Sequence, residues 1–360
     1  MLCFRKVLTI ICIGVIAAES NARPVVNGFV GELKLGNIIE VYGTDFGEMD
    51  GGIISWDDFE GHETGELING SKSIIGGNWS TIYSYSGDGA RFDTRESHSG
   101  NKAAHLDWSI DKESIRAFGW SGRGPYNKLY ISYQRYMEGD YKAASGFNHK
   151  QFYLYGNNGQ MPQSMPLMPG GTTMWGLYNN VSSGGLSWSE GNNINTEGWV
   201  YSNTVNKFQR WEWFIQLNSP YTESNGIVKG WLDGVKGIDN EKYRIGYVDG
   251  SFKDFRLGHM AQGFMDSAKA WFDDLYIATT QARVELCDSP VWKECKSKEI
   301  QVVDEDTWSD TGISFKLNSG FSNYTGSIYL YVVDKDGFAN EKGFPLAYFN
   351  PIEAPKLSVD

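Results

Sequence analysis

The sequence predicts an all-β protein built from antiparallel β-sandwiches. The 360 residues include 13 Trp, 20 Tyr and 19 Phe, and aromatic side chains favour half-buried pleated surfaces. The 43 glycines are typical of a fold with many tight turns. After the N-terminal segment, no stretch keeps apolar residues at helical spacing over three turns, so we expect no substantial helix there.

The N-terminal segment predicts an export signal. Arg5 and Lys6 precede an apolar run over residues 7–18, and a small-x-small cleavage sequence occupies residues 20–22. We therefore expect a signal peptide over residues 1–22 and a secreted mature chain, extracellular or periplasmic, that begins at Arg23. An uncleaved membrane anchor is the alternative interpretation. No later stretch is long and apolar enough to predict a transmembrane segment.

The charge and the cysteines restrict the class of protein further. The formal net charge is −12, which argues against nucleic acid as a partner because phosphates require a basic surface. It also disfavours a polyanionic substrate, unless a local basic groove overrides it. Two of the four cysteines lie in the predicted signal, and Cys287 and Cys295 remain. In an exported chain this pair predicts a disulfide, and its spacing does not fit a C-x-x-C metal or redox pair.

Short strands separated by turn residues follow one another along the chain. The first alternating strand lies within residues 36–47, and an acidic, glycine-rich linker follows over residues 48–52. The central strands are predicted at 129–137, 149–155, 211–218, 227–233, 255–260 and 270–278. Residues 157–195 predict a long loop, and the tail predicts strands at 300–303, 312–317 and 327–333.

Two resemblances refine this architecture. Residues 56–60 (WDDFE), 97–103 (SHSGNKA), 231–234 (WLDG) and 271–277 (WFDDLYI) resemble concanavalin A-like (laminin-G-like) jelly rolls. That superfamily includes lectins, glycan-binding modules, glycoside hydrolases, polysaccharide lyases and adhesive domains.

The second resemblance concerns the flanks of the chain. Residues 36–47, 308–313 and 329–337 resemble strands of an IPT/TIG immunoglobulin-like domain. We therefore expect residues 23–52 and 281–360 to form a small immunoglobulin-like sandwich, with the jelly roll of residues 53–280 inserted between them. A single sandwich with irregular flanking strands is the alternative.

Strand alternation predicts a ligand-binding face. Side chains alternate across a strand, so residues of one parity share a face. If the polar faces coincide, one concave sheet presents His149, Gln151, Tyr153, Tyr155, Arg210, Glu212, Gln216, Lys229 and Trp231. Aromatic, amide, carboxylate and guanidinium groups together suit sugars. The alternative is a plain solvated face, since any half-exposed antiparallel sheet alternates in this way.

The jelly-roll resemblance also implies an enzymatic alternative. In a lyase of this superfamily, Tyr153 would exchange the proton of a β-elimination, while His149, Gln151 and Arg135 would neutralise the uronate carboxylate. The signature strings of such lyases are absent, and the acidic net charge disagrees with an acidic substrate. A glycosidase would need a second carboxylate that the sequence does not supply at the expected place.

Acidic residues at both ends of the jelly-roll region predict a calcium site. Asp58, Glu60, Asp273 and Asp274 lie on strands expected to be neighbours, and carboxylate oxygens suit Ca²⁺. The alternative is acidic strand ends in water. The sequence as a whole favours a secreted carbohydrate-binding or adhesive protein whose partner is an extracellular glycan. The alternatives are a polysaccharide lyase or a structural surface or filament component.

Overall fold

The computed structural model describes residues 22–84, 89–109, 116–138, 148–156, 163–168, 176–178, 206–245, 250–262, 268–320 and 326–349. The predicted signal before residue 22 and most of the predicted 157–195 loop lie outside the described residues. In its described part the chain forms strands and short turns without an α-helix, which confirms the all-β antiparallel class. No helix of these residues is long and apolar enough to cross a membrane.

The strands are numbered β1 to β21 in chain order. They are β1 (Val25–Val30), β2 (Ile38–Thr44), β3 (Ile53–Asp57), β4 (Thr81–Ser84), β5 (Arg91–Asp93), β6 (Ala103–Asp107), β7 (Arg116–Trp120), β8 (Lys128–Glu138), β9 (Asn148–Tyr155), β10 (Gln163–Met168), β11 (Gly176–Tyr178), β12 (Phe208–Gln216), β13 (Gly226–Leu232), β14 (Val235–Tyr243), β15 (Asp254–Gln262), β16 (Lys269–Ala278), β17 (Arg283–Cys287), β18 (Lys298–Asp304), β19 (Gly312–Lys316), β20 (Gly326–Val333) and β21 (Phe344–Phe349). Strands β10 and β11 fall where the sequence predicts only loop.

The first and last strands of the chain share one sheet, in the order β1-β2-β19-β18-β17-β20-β21. Strand β2 alternates as its sequence predicts, with Ile39 and Val41 buried and Tyr42 exposed. The sheet curls around an apolar core, because its edge strands β1 and β21 meet through Phe29 and Phe344, whose ring centroids are 6.4 Å apart. We call this unit the seven-stranded module.

Residues 53–278 form a larger sandwich of two sheets. One sheet has the order β11-β10-β9-β15-β7-β4, and the other has the order β14-β13-β12-β8-β16-β6-β5, with β3 added on β16. Aromatic side chains fill the space between them, and Trp213 of β12 meets Phe152 of β9 edge-to-face at 6.0 Å. Trp211, Trp213 and Ile215 are buried on one parity of β12, as predicted.

The outer face of the larger sandwich's eight-stranded sheet is covered by the seven-stranded module. Tyr130, Phe214 and Tyr276 of the sheet pack with Ile300 of β18 in one apolar cluster. The module also contains the predicted disulfide, which joins Cys287 and Cys295 across a Cα–Cα distance of 5.8 Å. The polar residues on this face of β8 and β12 are therefore buried between the sheet and the module.

Candidate functional site

The nine residues of the predicted ligand face do not lie on one sheet. Strand β9, with Gln151, Tyr153 and Tyr155, belongs to the six-stranded sheet, whereas β12 and β13 belong to the eight-stranded sheet. The prediction of one concave sheet face is therefore wrong. Alternation assigns a residue to a face of its strand, but it does not say which sheet the strand joins.

Arg210 and Glu212 lie in the contact between the larger sandwich and the module. Both are buried, and the Arg210 guanidinium reaches the Glu285 carboxylate at 2.8 and 2.9 Å and Glu212 at 3.1 Å. Arg283 contacts both carboxylates as well. Burial alone would raise the pKa of Glu285, but the charges of Arg210 and Arg283 hold it well below its usual range. This ionic cluster joins the two units.

The remaining predicted residues of the eight-stranded sheet lie nearer its edge. Trp231 is half-buried against the same apolar cluster, and Gln216 is half-buried at the end of β12. Lys229 forms an ion pair with Glu241 at 2.9 Å. None of these three lies beside β9, so they cannot complete a site with its tyrosines.

Gln151 and Arg135, which were proposed for lyase chemistry, lie inside the larger sandwich. Tyr133 of β8 donates a hydrogen bond across the sandwich to the amide oxygen of Gln151, which is buried. Arg135 is buried, 5.1 Å from the centre of the Trp211 ring. Burial raises the pKa of Tyr133 above its usual range. The side chain of His149 lies outside the described residues.

A column of rings and cations lies on the six-stranded sheet. Tyr153 and Tyr155 stack with ring centroids 4.8 Å apart and planes 4° from parallel. The Lys150 ammonium lies 5.4 Å from the centre of Tyr153, and the Arg256 guanidinium lies 4.7 Å from the centre of Tyr155. Burial lowers the pKa of Lys150. We call these four residues the tyrosine column.

Sequence reasoning found the tyrosines of this column but not its cations. Arg256 pairs with Tyr153 across β15 and β9, and it alternates with Phe255 and Leu257, which are in the core. Its alternation with core residues in the predicted 255–260 strand therefore indicates that Arg256 lies on the outer face of the sheet. The sequence did not predict that β15 pairs with β9, and this pairing brings Arg256 beside the tyrosines.

Two of the predicted calcium ligands, Glu60 and Asp273, accept hydrogen bonds from backbone amides of the turn at residues 98–102. Glu60 accepts hydrogen bonds from the amides of Asn101 and Lys102 at 2.7 and 2.6 Å. Asp273 accepts from the amides of His98 and Ser99 at 2.8 and 3.1 Å. Backbone donors aimed at these oxygens occupy positions that a cation would need.

Among the residues that the structure describes, Asp58, Glu60, Asp273 and Asp274 do not converge on one centre. The group that converges is His98, Asp274 and Glu299, whose donor atoms lie within 4.8 Å of one another. Burial by itself lowers the pKa of His98, but the carboxylates of Glu299 and Asp274 raise it to about 9. His98 thus lies between two acids, one from each unit.

No protein-family model and no curated protein matches the chain. Among solved structures, it is similar to endo-β-1,4-glucuronan lyase from the fungus Trichoderma reesei, with 13% identity, a TM-score of 0.42, and coverage of 61% of this chain and 96% of that chain. Alginate lyase Aly36B has 9% identity and a TM-score of 0.40, with 62% and 95% covered. A botulinum neurotoxin serotype C1 binding domain has 10% identity and a TM-score of 0.37, with 64% and 49% covered. Likenesses of this size carry no argument about activity or ligand.

Proposed function

We propose that this protein is an exported carbohydrate-binding β-sandwich that recognises acidic sugars at the tyrosine column. The observation that carries the proposal is the column itself, which places two cations and two phenol groups on one sheet. Guanidinium and ammonium groups bind carboxylates through charge-assisted hydrogen bonds, and phenols bind sugar hydroxyls. The column is locally basic despite the acidic net charge; Lys150, Tyr153 and Tyr155 are buried, and Arg256 is its half-buried member.

The geometry favours an acidic sugar over a neutral one. Tyr153 and Tyr155 already stack on each other and are flanked by Lys150 and Arg256. A stacked pair flanked by cations favours charge recognition and hydrogen bonding over stacking on the C–H face of a pyranose. We therefore expect uronate-containing glycans to bind more tightly than their neutral counterparts.

Calorimetry with a matched pair of ligands tests the proposal. A uronate oligosaccharide and a neutral oligosaccharide of equal length are titrated into the mature chain. Arg256→Met should weaken uronate binding by about tenfold to a hundredfold, the size of one charge-assisted hydrogen bond. Lys236→Met is the control, because Lys236 is an exposed lysine of β14 in the other sheet. Equal affinity for both ligands, or an Arg256 variant that binds like the control, would contradict the proposal.

Polysaccharide β-elimination is the second candidate function, and the Tyr153–Lys150 contact favours it. A phenol that exchanges protons beside a cation that neutralises the uronate carboxylate supplies the two groups this reaction uses. Each cleavage removes the proton on the carbon next to the carboxylate and expels the neighbouring glycosidic oxygen, leaving an unsaturated sugar. The ultraviolet absorbance of that product measures it.

The same samples separate the two candidates. Rising absorbance that Tyr153→Phe abolishes, while binding persists, would establish a lyase. Saturable binding without new absorbance would support a binding protein. Absence of both on a broad panel of glycans would contradict the carbohydrate proposal and favour a structural surface role.

A further inference from the structure

A small pocket of ≈ 70 Å³ lies where the larger sandwich meets the seven-stranded module. Gln134 of β8 and Arg210 of β12 line it from the larger sandwich, and Lys298 of β18 lines it from the module. His98 and Phe208 complete much of its wall. The pocket lies on the eight-stranded sheet, whereas the tyrosine column lies on the six-stranded sheet, so the two are separate sites.

Lys298 is a buried cation without an acceptor among the described residues. It is 6% exposed, and its ammonium lies 3.8 Å from the centre of the Trp292 ring. Within the described residues its ammonium forms no hydrogen bond or ion pair, and the carboxylates of Glu212 and Glu285 act on it only at longer range. A buried ammonium that lacks a hydrogen-bond acceptor is unfavourable, so such a group in a pocket points to a ligand.

Gln134 is a second buried polar group of the same kind. It is 6% exposed, it faces the pocket, and its amide forms no hydrogen bond within the described residues. The amide supplies two donors and one acceptor oxygen. Gln134 and Lys298 line the pocket from different units, so one small ligand could contact both.

The neighbouring charged groups are already satisfied. The Arg210 guanidinium donates to Glu285, Glu212, Ser132 and the carbonyl of Lys298, which uses its five N–H groups. His98 lies between Asp274 and Glu299, as described above. The unused hydrogen-bonding capacity of the buried wall is therefore that of Lys298 and Gln134.

We infer that this pocket binds a small monoanionic carboxylate, whose oxygens accept hydrogen bonds from the Lys298 ammonium and the Gln134 amide. Lys298 shares the carboxylates of Glu212 and Glu285 with Arg210 and Arg283, so the three cations exceed the two carboxylates by one charge, which matches one negative charge on a ligand. A dianion such as phosphate is disfavoured, because Asp233 on the pocket wall and Glu299 behind it would repel a second charge. The bound carboxylate connects the two units, so it stabilises their contact.

Acetate and inorganic phosphate are the probes, used with the full mature chain in chloride buffer at matched ionic strength. Acetate should bind saturably by calorimetry and raise the unfolding temperature, since a ligand of the folded state stabilises it. Lys298→Met should weaken acetate binding by about tenfold to a hundredfold, whereas Lys236→Met should not.

Gln134→Glu gives a test that does not depend on how well the Lys298 variant folds. The new carboxylate pairs with Lys298, so the unfolding temperature without acetate should rise while acetate binding is lost. Absence of saturable acetate binding in the wild type would overturn the inference, as would wild-type affinity in either variant. Phosphate binding as tight as acetate binding would overturn the choice of a monoanion.

Discussion

Replacing Glu285 with glutamine tests how strongly the ionic cluster holds the two units together. The Glu285 carboxylate is wholly buried, and Arg210 reaches it with two hydrogen bonds of 2.8 and 2.9 Å while Arg283 supplies a third. Glutamine keeps the volume but leaves two buried guanidinium groups facing one carboxylate, Glu212. Breaking a buried pair from one side costs about 3–5 kcal/mol, so we expect the free energy of unfolding to fall by that amount.

Urea unfolding followed by tryptophan fluorescence and circular dichroism measures this loss. The matched control is Asp239→Asn, which removes one partner of the exposed Lys236–Asp239 pair and should cost at most about 1 kcal/mol. The double variant Arg210→Met with Glu285→Met leaves Arg283 facing Glu212 and should recover most of the stability. Equal losses of unfolding free energy in Glu285→Gln and in the control would refute the reasoning. A double variant less stable than Glu285→Gln would also refute it.

Two further predictions concern the same junction and the disulfide. The folded-state pKa of His98 is raised to about 9, so its contribution to stability is lost as the pH rises towards 9. Burial raises the pKa of its partner Glu299 to about 7, so the ion pair also weakens as Glu299 takes up a proton below pH 7. His98→Gln should flatten the fall in stability above pH 7; an unchanged slope would exclude His98 as its source. Converting Cys287 and Cys295 to serine opens a loop with a sequence separation of 8, which should lower the free energy of unfolding by about 2–3 kcal/mol. Wild-type stability of this double variant in chemical denaturation would contradict that expectation.

Local patterns predicted much of the fold because strand alternation and turn residues act over a few positions. The buried parity of Trp211, Trp213 and Ile215 follows from β12 alone, and so does the alternation of Ile39 and Val41 in β2. The Cys287–Cys295 disulfide follows from two cysteines in a chain predicted to be exported.

The candidate sites were harder to predict because they depend on contacts between distant strands. Glu212 looked like a groove residue, since a polar residue alternating with tryptophans is typical of a wet face. The structure covers that face with Arg283 and Glu285, which follow it by about seventy residues in the chain. A polar face and a buried ionic contact have the same local sequence pattern, and only the covering layer distinguishes them.

The sequence by itself determined the all-β class, the core parity of β12 and the disulfide, because each depends on neighbouring residues or on a simple pair. The tertiary structure decided that β9 and β12 lie in different sheets and that Arg256 joins the tyrosine column. It also decided that Lys298 and Gln134 line the same pocket. Those outcomes depend on strand order and on packing between sheets, which are long-range properties that no window of sequence contains.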